Sequence, residues 1–298
     1  MVNNDSHTVR KTILDTEQRF KKGDLYYGHG TSEALDEAAW LVGSALGILP
    51  RDLDAELDRE LTGDELASLD ALVTRRIDER IPVAYLLNEA WFAGHRFYID
   101  QRALIPRSLI GEYVLEHFQP WIDEHKVHDV LDLCTGSGCI AIAVALEFPE
   151  ARVDAADISV DALAVAERNV REYGLADRIT IIQSDVFENL PGRRYDIIVS
   201  NPPYVPHSSM PELPEEYKHE PELALVAEND GLSIVAEILF RSLGYLKPNG
   251  ILIVEVGKSR EALEQRFPEI PFTWLAHGSG EDSVFLLYRS DLPLPGNS

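Results

Sequence analysis

The residues best suited to chemistry form a short run, Ser200-Asn201-Pro202-Pro203-Tyr204, directly after an apolar, strand-like stretch. The two prolines fix the backbone and remove N–H donors, which leaves the Pro202 carbonyl free to accept a hydrogen bond. The Asn201 side chain presents a second acceptor beside it. Two acceptors so placed can hold the NH₂ group of a planar amide or aromatic amine, and Tyr204 can stack on the same plane. The run therefore predicts a site that acts on an amide or amine nitrogen.

A glycine-bearing turn, Asp132-Leu133-Cys134-Thr135-Gly136-Ser137-Gly138, follows an earlier strand-like stretch and leads into a helical one. Glycines let the backbone turn tightly and approach a ligand, and the N–H groups at a helix start offer hydrogen bonds. The turn therefore predicts a nucleotide-type cradle. Because Gly136-x-Gly138-x-x-Ala141 also fits the dinucleotide fingerprint, an NAD-dependent oxidoreductase stays an alternative at this point.

Aspartates end the next two strand-like stretches. Asp157 comes about 20 residues after the glycines, a spacing that suits hydrogen bonds from a ribose diol. A helix N-cap is its alternative role, although Ser159 can supply that cap. Asp185, followed by Val186 and Phe187, suits an adenine, since it offers a polar group for the exocyclic amine and apolar side chains for the ring. Ordinary loop chemistry is the alternative for Asp185.

The elements that must position these residues alternate along the second part of the chain. This alternation predicts a parallel sheet with helices on both faces. The C-terminal part predicts two further strands around a turn at Gly278 to Asp282, an antiparallel pair that closes the sheet. The predicted parallel strands cover residues 127–133, 151–157, 178–185, 195–200 and 250–257, and the predicted helices cover 138–148, 160–173 and 231–246.

The first part of the chain is helical in pattern. Residues 32–47 and 62–80 carry apolar stripes, the second after a capping box of Thr62 and Glu65, and an earlier helix spans Thr8 to Phe20. Residues 89–105, rich in aromatic and β-branched side chains, predict a β-hairpin around Ala93-Gly94. We therefore predict a helical domain over 1–88, a hairpin linker over 89–105 and an α/β domain over 106–298.

Composition excludes several classes of protein. The 298 residues include 27 Lys and Arg against 51 Asp and Glu, a formal net charge of −24 that would repel a polyphosphate backbone. No basic patch offsets it, so we expect no direct nucleic-acid readout. The two cysteines, Cys134 and Cys139, suit neither a disulfide framework nor a zinc site, and we expect no metal. No apolar run approaches the roughly 20 residues that span a bilayer, so the default expectation is a cytoplasmic protein without membrane contact.

Four segments together resemble class I S-adenosylmethionine-dependent methyltransferases that act on amino or amide nitrogen: DLCTGSGCIAIA, DIS at 157–159, SD at 184–185 and SNPPY. More narrowly, the chain resembles the protein-glutamine methyltransferases of the HemK/PrmC and PrmB group over nearly its whole length. Residues 105–110 read IPRSLI where the release-factor branch typically has IPRPDTE. With YYGHGTSEALDEAAWLV at 26–42, this departure makes the chain most similar to the PrmB branch.

The resemblance implies a Rossmann-like α/β fold, with a mostly parallel seven-stranded sheet, an antiparallel C-terminal strand and a small all-helical N-terminal domain for substrate recognition. It implies methyl transfer from S-adenosylmethionine, which becomes S-adenosylhomocysteine, to the N5 nitrogen of a glutamine in the third large-subunit ribosomal protein. The glutamine of the GGQ motif in release factors is the alternative substrate. An adenine-N6 DNA methyltransferase, which uses the same acceptor pair, is a more distant alternative that the net charge disfavours.

The resemblance also assigns site residues. Catalysis falls to Asn201, Pro202, Pro203 and Tyr204, and substrate binding to Asn201, Pro202, Tyr204 and Arg107, which borders the active site in this group. The residues implied for the cofactor are Asp132, Cys134, Thr135, Gly136, Ser137, Gly138, Asp157, Ile158, Asp185, Val186 and Asn201.

The acidity of the chain offers a reason for a basic partner. An acidic helical domain, together with a glutamate-rich loop, can steer a basic ribosomal protein toward the enzyme. An acidic proteome is the plainer explanation, and an acidic assembly factor without enzymatic activity is a further alternative. The loop glutamates are Glu212, Glu215, Glu216, Glu220 and Glu222.

Overall fold

The computed structural model describes residues 7–227, 231–276 and 282–294 of the chain. They form two compact units. The first unit combines residues 1–90 with the later segment Pro214–His219, and the second comprises residues 91–213 and 220–298. The finer boundaries at residues 88 and 105 stay a prediction.

The first unit is helical, and two of its helices begin at threonine caps. Thr8 Oγ1 accepts a hydrogen bond from Lys11 N at 3.3 Å. Thr62 Oγ1 accepts one from Glu65 N at 3.3 Å while Glu65 Oε2 accepts one from Thr62 N at 2.8 Å, so the predicted capping box is confirmed. The three predicted helices are present with ends shifted by a few residues. The helices are α1 (Val9–Lys22), α2 (Ala34–Ala45), α3 (Leu53–Glu56), α4 (Gly63–Asp78) and α5 (Val83–Leu87).

The core of the first unit contains a buried arginine. Arg76, only 1% exposed, donates to Glu37 Oε1 at 2.8 Å and to Glu216 Oε1 at 3.0 Å. Its third nitrogen donates to the Tyr26 carbonyl at 2.8 Å. Around this network the apolar faces of α1, α2 and α4 pack against one another. Glu216 is thus a buried ion-pair partner, and the expectation of an exposed acidic loop is wrong at this residue.

The second unit is built on a sheet of seven strands. The strands are β3 (Asp129–Leu133), β4 (Arg152–Asp157), β5 (Ile179–Gln183), β6 (Tyr195–Ser200), β9 (Leu246–Glu255), β10 (Thr273–Leu275) and β11 (Val284–Tyr288). Their order is β10-β11-β9-β6-β3-β4-β5, parallel except where β11 pairs antiparallel with β9 and β10. The predicted mostly parallel sheet with antiparallel C-terminal strands is confirmed.

Helices cover both faces of this sheet because its central strands are apolar on both sides, as the sequence pattern predicted. Strand β9 begins at Leu246, four residues before the predicted start. Residues 278–281 of the predicted C-terminal turn lie outside the described residues. The helices of the unit are α6 (Ile110–Leu115), α7 (Cys139–Glu147), α8 (Val160–Glu172), α9 (Glu222–Leu225), α10 (Ser233–Tyr245) and α11 (Arg260–Arg266).

Two small sheets complete the second unit. The predicted hairpin is confirmed but short: β1 (Ala90–Phe92) and β2 (His95–Phe97) join through Ala93 and Gly94, both with positive φ. Strand β7 (Val205–Pro206) pairs in parallel with β8 (Val226–Ala227). In the described parts of both units, no helix combines the length and the apolar character needed to cross a membrane.

Candidate active site

The carboxyl ends of neighbouring parallel strands bring the predicted residues together. Leu133 of β3 is in register with Ser200 of β6 on one side and with Ala156 of β4 on the other. The residues that follow these positions therefore emerge side by side, namely Cys134, Asn201 and Asp157. Strand order reverses at β3, and ligands of open α/β sheets bind at such a switch point.

A cleft opens at these strand ends. Seven of the residues predicted to bind a cofactor line it: Cys134, Gly136, Asp157, Ile158, Asp185, Val186 and Asn201. Pro203 lines the same cleft. The run after β6 and the glycine turn after β3 thus face a common space, as a transfer between two bound molecules requires.

Alternate residues of the glycine turn face the cleft. Cys134 and Gly136 line it, whereas Thr135 and Ser137 are buried and do not. The backbone needs left-handed conformations here, with φ of +54° at Gly136 and +79° at Gly138. A Cβ added to Gly138 would lie 3.1 Å from Ala166 Cβ, so this glycine also lets the turn approach α8 closely.

Asp157 is tied to the glycine turn. Its Oδ2 accepts from Gly136 N and its Oδ1 from Ser159 N, both at 2.9 Å. Burial raises the pKa of the Asp157 carboxyl. The cap of α8 comes from Ser159, whose Oγ accepts from Ala162 N at 3.2 Å. Each carboxylate oxygen can accept a further hydrogen bond, so Asp157 keeps capacity for a ligand diol at the cleft.

Asp132 lies beneath the turn rather than in the cleft lining. Its side chain is fully buried, and Oδ2 accepts from Thr135 Oγ1 at 2.5 Å and from Ala141 N at 3.1 Å. Its Oδ1 has no hydrogen-bond partner in the described part of the chain. Burial raises the pKa of Asp132 to about 7. A carboxyl with this pKa changes charge near neutral pH, directly under the turn.

Asn201 carries a further buried acceptor without a partner among the described residues. Its Oδ1 is buried and receives no hydrogen bond from the described residues, although the residue lines the cleft. An unpaired buried acceptor costs about 1–3 kcal/mol, so a ligand N–H would offset a real penalty here. The corner itself is fixed, because Ser200 Oγ donates to the Leu133 carbonyl at 2.8 Å and thereby links β6 to β3.

The remaining residues of this run do not all face the cleft. Pro202 is buried, and neither Pro202 nor Tyr204 belongs to the cleft lining. Tyr204 packs against two glycines with positive φ. A Cβ on Gly257 would lie 2.5 Å from Tyr204 Cε2, and one on Gly231 would lie 2.4 Å from the Tyr204 carbonyl oxygen. Sequence reasoning missed both glycines, whose only signals are that Gly231 stands at the start of a helical pattern and Gly257 at the end of a strand pattern.

Two wall segments of the cleft were also missed. Arg102, Ala103 and Leu104 form one, and residues 221–226 contribute Pro221, Leu223, Ala224 and Val226 to the other. The residue types of these two segments do not themselves point to binding, so their place in the cleft wall follows from the fold.

Arg107, predicted to bind substrate, pairs with a glutamate of the protein. It does not line the cleft, and its guanidinium forms a two-point ion pair with Glu220, at 2.5 Å and 2.7 Å. The Glu220 side chain is fully buried, so the expectation of an exposed acidic loop is wrong at this residue too. The geometry gives Arg107 a protein partner instead of an open position toward a substrate.

The cleft suits a nucleoside-bearing cofactor. It combines a glycine turn without side chains in the way, a carboxylate with spare acceptor capacity in Asp157 and apolar surface from Ile158, which is 46% exposed. Asp185 is exposed at the end of the same wall as Val186. Fold and site together define a class I methyltransferase.

Comparisons with known proteins agree with this class. Residues 112–215 match the family model "Methyltransferase small domain", and residues 27–87 match "PrmC N-terminal domain". Among solved structures, the hMettl16 catalytic domain in complex with a MAT2A 3′UTR hairpin is similar in fold. It has a TM-score of 0.52 and 16% sequence identity, over 86% of this chain and 93% of that one.

Curated relatives narrow the assignment. Ribosomal protein uL3 glutamine methyltransferase of Neisseria meningitidis serogroup B is 48% identical over 287 residues, which is 96% of this chain and 94% of that protein. The protein of the same name from Burkholderia pseudomallei is 45% identical over 96% of both chains. The chain therefore belongs to the family of ribosomal protein uL3 glutamine methyltransferases.

Proposed function

We propose that this chain transfers the methyl group of S-adenosylmethionine to the side-chain N5 nitrogen of a glutamine in ribosomal protein uL3. Nearly full-length similarity to uL3 glutamine methyltransferases supports the substrate. The observation that carries the chemistry is the unpartnered Asn201 Oδ1 in a residue that lines the same cleft as Gly136 and Asp157. A basic ribosomal protein as partner would place the reaction in the cytoplasm.

The cofactor side of the cleft follows from its lining. Bound there, S-adenosylmethionine supplies an electrophilic methyl group on a sulfonium. We assign the ribose diol to Asp157, the adenine amine to Asp185, and the adenine ring to Ile158 and Val186. The turn residues Cys134 and Gly136 face the ligand, while Thr135, Ser137 and Gly138 hold the shape of the turn. Asp132, when ionised, would favour a cationic methionine ammonium bound at the turn.

The substrate side follows from the run after β6. A carboxamide nitrogen is a poor nucleophile because its lone pair is delocalised, so the chain's task is to hold it in one orientation. Asn201 Oδ1, which lines the cleft, and the Pro202 carbonyl accept its two N–H groups. Pro203 fixes the corner, and Tyr204, packed against Gly231 and Gly257 outside the cleft lining, supports it. Holding the reacting atoms about 3–3.5 Å apart supplies much of the rate, and no covalent enzyme intermediate is needed.

The direct test offers purified chain two substrates in parallel: recombinant uL3 and a release factor with its GGQ loop. Methyl-labelled S-adenosylmethionine supplies the label, and mass spectrometry of digested products locates it. We expect one labelled glutamine in uL3 and none in the release factor. Label in the release factor alone would transfer the assignment to the sister branch, and label in neither would contradict the proposed reaction.

We further propose that residues 1–88 serve substrate recognition, as the match of residues 27–87 to the PrmC N-terminal domain supports. Removing these residues should then raise the KM for uL3 while leaving the Kd for cofactor unchanged. Equal loss of both affinities would contradict this role.

A further inference from the structure

Glu220 joins two parts of the chain that line the candidate active site. Its Oε1 accepts from Ile105 N at 3.2 Å and from Arg107 Nη1 at 2.5 Å, and its Oε2 accepts from Arg107 Nη2 at 2.7 Å. The side chain is completely buried, while Arg107 is 22% exposed. A buried carboxylate is kept charged only by such pairing, so the contact is a built feature of the fold.

Each end of this contact continues into a wall of the cleft. Ile105 directly follows the first wall segment, Arg102 to Leu104, and Glu220 directly precedes the second, which runs from Pro221 to Val226. Glu220 therefore fastens the end of one wall to the start of the other. A substitution at Glu220 should therefore shift both walls, although Glu220 itself does not line the cleft.

The far end of the second wall is fixed to the corner that carries Asn201. Val226 pairs with Val205 and Ala227 with Pro206, in the short parallel ladder of β7 and β8. Strand β7 begins at the residue after Tyr204, so the ladder holds the wall beside the Asn201 to Tyr204 run. The second wall is thus held at its start by Glu220 and at its end by the Asn201 to Tyr204 run.

We propose that Glu220, acting with Arg107, is a positioning residue of the active site that sets the two cleft walls relative to the Asn201 corner. The inference rests on the proposed function, because it concerns the same cleft. It gives Arg107 an indirect role through its ion pair, in place of the direct substrate contact that the family resemblance implies.

The test compares Glu220→Gln, Arg107→Gln, the double variant and the milder Arg107→Lys. For each, calorimetry gives the cofactor Kd, labelled transfer to uL3 gives kcat and KM, and thermal unfolding gives Tm. A misplacement of about 1 Å costs about 100-fold in rate, so we expect kcat to fall on that order in both Gln variants, and the cofactor Kd to rise. The double variant should be no worse than the worse single variant, because both remove one shared interaction. Arg107→Lys, which keeps the charge without the two-point geometry, should fall between.

Asp154→Asn is the matched control. The Asp154 carboxylate is equally buried, at 1% exposure, and pairs with Arg193 and Tyr195 outside the cleft lining. This variant should lower Tm. Assayed well below that Tm, it should have the cofactor Kd and the kcat of the wild-type chain.

Three results would overturn the positioning role. One is unchanged kcat and Kd in both Gln variants, and another is a loss that merely follows Tm as in the control. The third is a raised KM for uL3 in Arg107→Gln alone with cofactor Kd unchanged, which would establish direct substrate contact. If the wild-type chain binds cofactor but labels no uL3, the proposed function fails, and the cofactor Kd series still decides the role of Glu220.

Discussion

Two sets of buried polar groups, one in each unit of this protein, differ in whether their hydrogen bonds are satisfied. In the first unit, every nitrogen of the Arg76 guanidinium has a partner: Glu37, Glu216 and the Tyr26 carbonyl. At the strand ends of the second unit, Asn201 Oδ1 and Asp132 Oδ1 are buried with no partner among the described residues. The first arrangement is complete in itself, and the second leaves hydrogen-bond capacity unused, at the cleft in the case of Asn201.

Buried polar groups that serve the fold can therefore be distinguished from those that serve a ligand. A saturated network such as that of Arg76 contributes to the fold, and disturbing it should change stability. An unsaturated acceptor has been kept at a cost in stability, and disturbing it should change binding or rate instead. Each prediction below assigns a residue to one side of this comparison.

The largest expected effect on stability is at Arg76. Arg76→Leu leaves Glu37 buried without its cation and Glu216 with only Arg80, 3.7 Å away, and breaking a buried pair in this way costs about 3–5 kcal/mol of unfolding free energy. Burial already raises the pKa of Glu37, so loss of the arginine should raise it further. Urea unfolding monitored by circular dichroism measures the loss. Its neighbour Arg75, 49% exposed and paired with Glu79, supplies the control: Arg75→Leu should cost at most about 1 kcal/mol. Equal losses in both variants would remove the basis of the comparison.

Asp157 tests the ligand side. Asp157→Ala removes a carboxylate assigned to the ribose diol, and should weaken cofactor binding by about 1–3 kcal/mol as a charge-assisted hydrogen bond is lost. Isothermal calorimetry provides the Kd. Asp161→Ala is the matched control. Asp161 is exposed on the first turn of α8, the helix that follows Asp157, so this variant should leave the cofactor Kd unchanged. An unaltered Kd in the Asp157 variant would refute the ribose assignment.

Asp132 should make cofactor binding depend on pH. Its folded-state pKa, raised to about 7 by burial, means that the carboxyl is neutral in acid and ionises as pH rises. When only the ionised form binds the methionine ammonium, affinity should increase by about 16-fold between pH 5.5 and pH 7, because the ionised fraction rises from about 3% to about 50%. Asp132→Asn should flatten this profile. A wild-type Kd that is constant over the interval would exclude Asp132 from the cofactor site.

The smallest effect is expected at His117, a saturated group near the surface. Hydrogen bonds to Glu147 and Glu124 raise its pKa, so the protonated ring is favoured in the folded state. Its stabilisation is therefore complete below the unfolded pKa of about 6.5 and is lost as pH rises through the folded pKa. Because the ring is 34% exposed, we expect no more than about 1 kcal/mol. His117→Gln should reduce the pH dependence of the unfolding free energy and leave the cofactor Kd unchanged. A changed Kd would instead assign His117 to ligand binding.

Much of this arrangement could be predicted from the sequence because its signals are local. The alternation of apolar stretches predicted the order of strands and helices. Thr62 and Glu65 predicted a helix start, and the two prolines after Asn201 predicted a rigid corner at the end of a strand. Parallel pairing then requires that strand ends meet at one edge, so the predicted residues converge.

Long-range partners left no such signal. Glutamates 216 and 220 have the sequence character of a solvated acidic loop, yet each pairs with an arginine more than 100 residues away. The side of the glycine turn that faces the cleft depends on backbone angles at Cys134 and Gly136, which residue types alone do not specify. The roles of Glu216 and Glu220 depend on their burial, which only the folded chain determines.

The most direct test of the account is the Asn201→Ala variant, assayed for cofactor binding by calorimetry and for labelled methyl transfer to uL3 in the same preparation. We predict that the cofactor Kd stays within about twofold of wild type, since Asn201 serves the amide, while transfer is abolished. Retained transfer, or loss of cofactor binding, would contradict the claim that this unpaired carbonyl holds the glutamine.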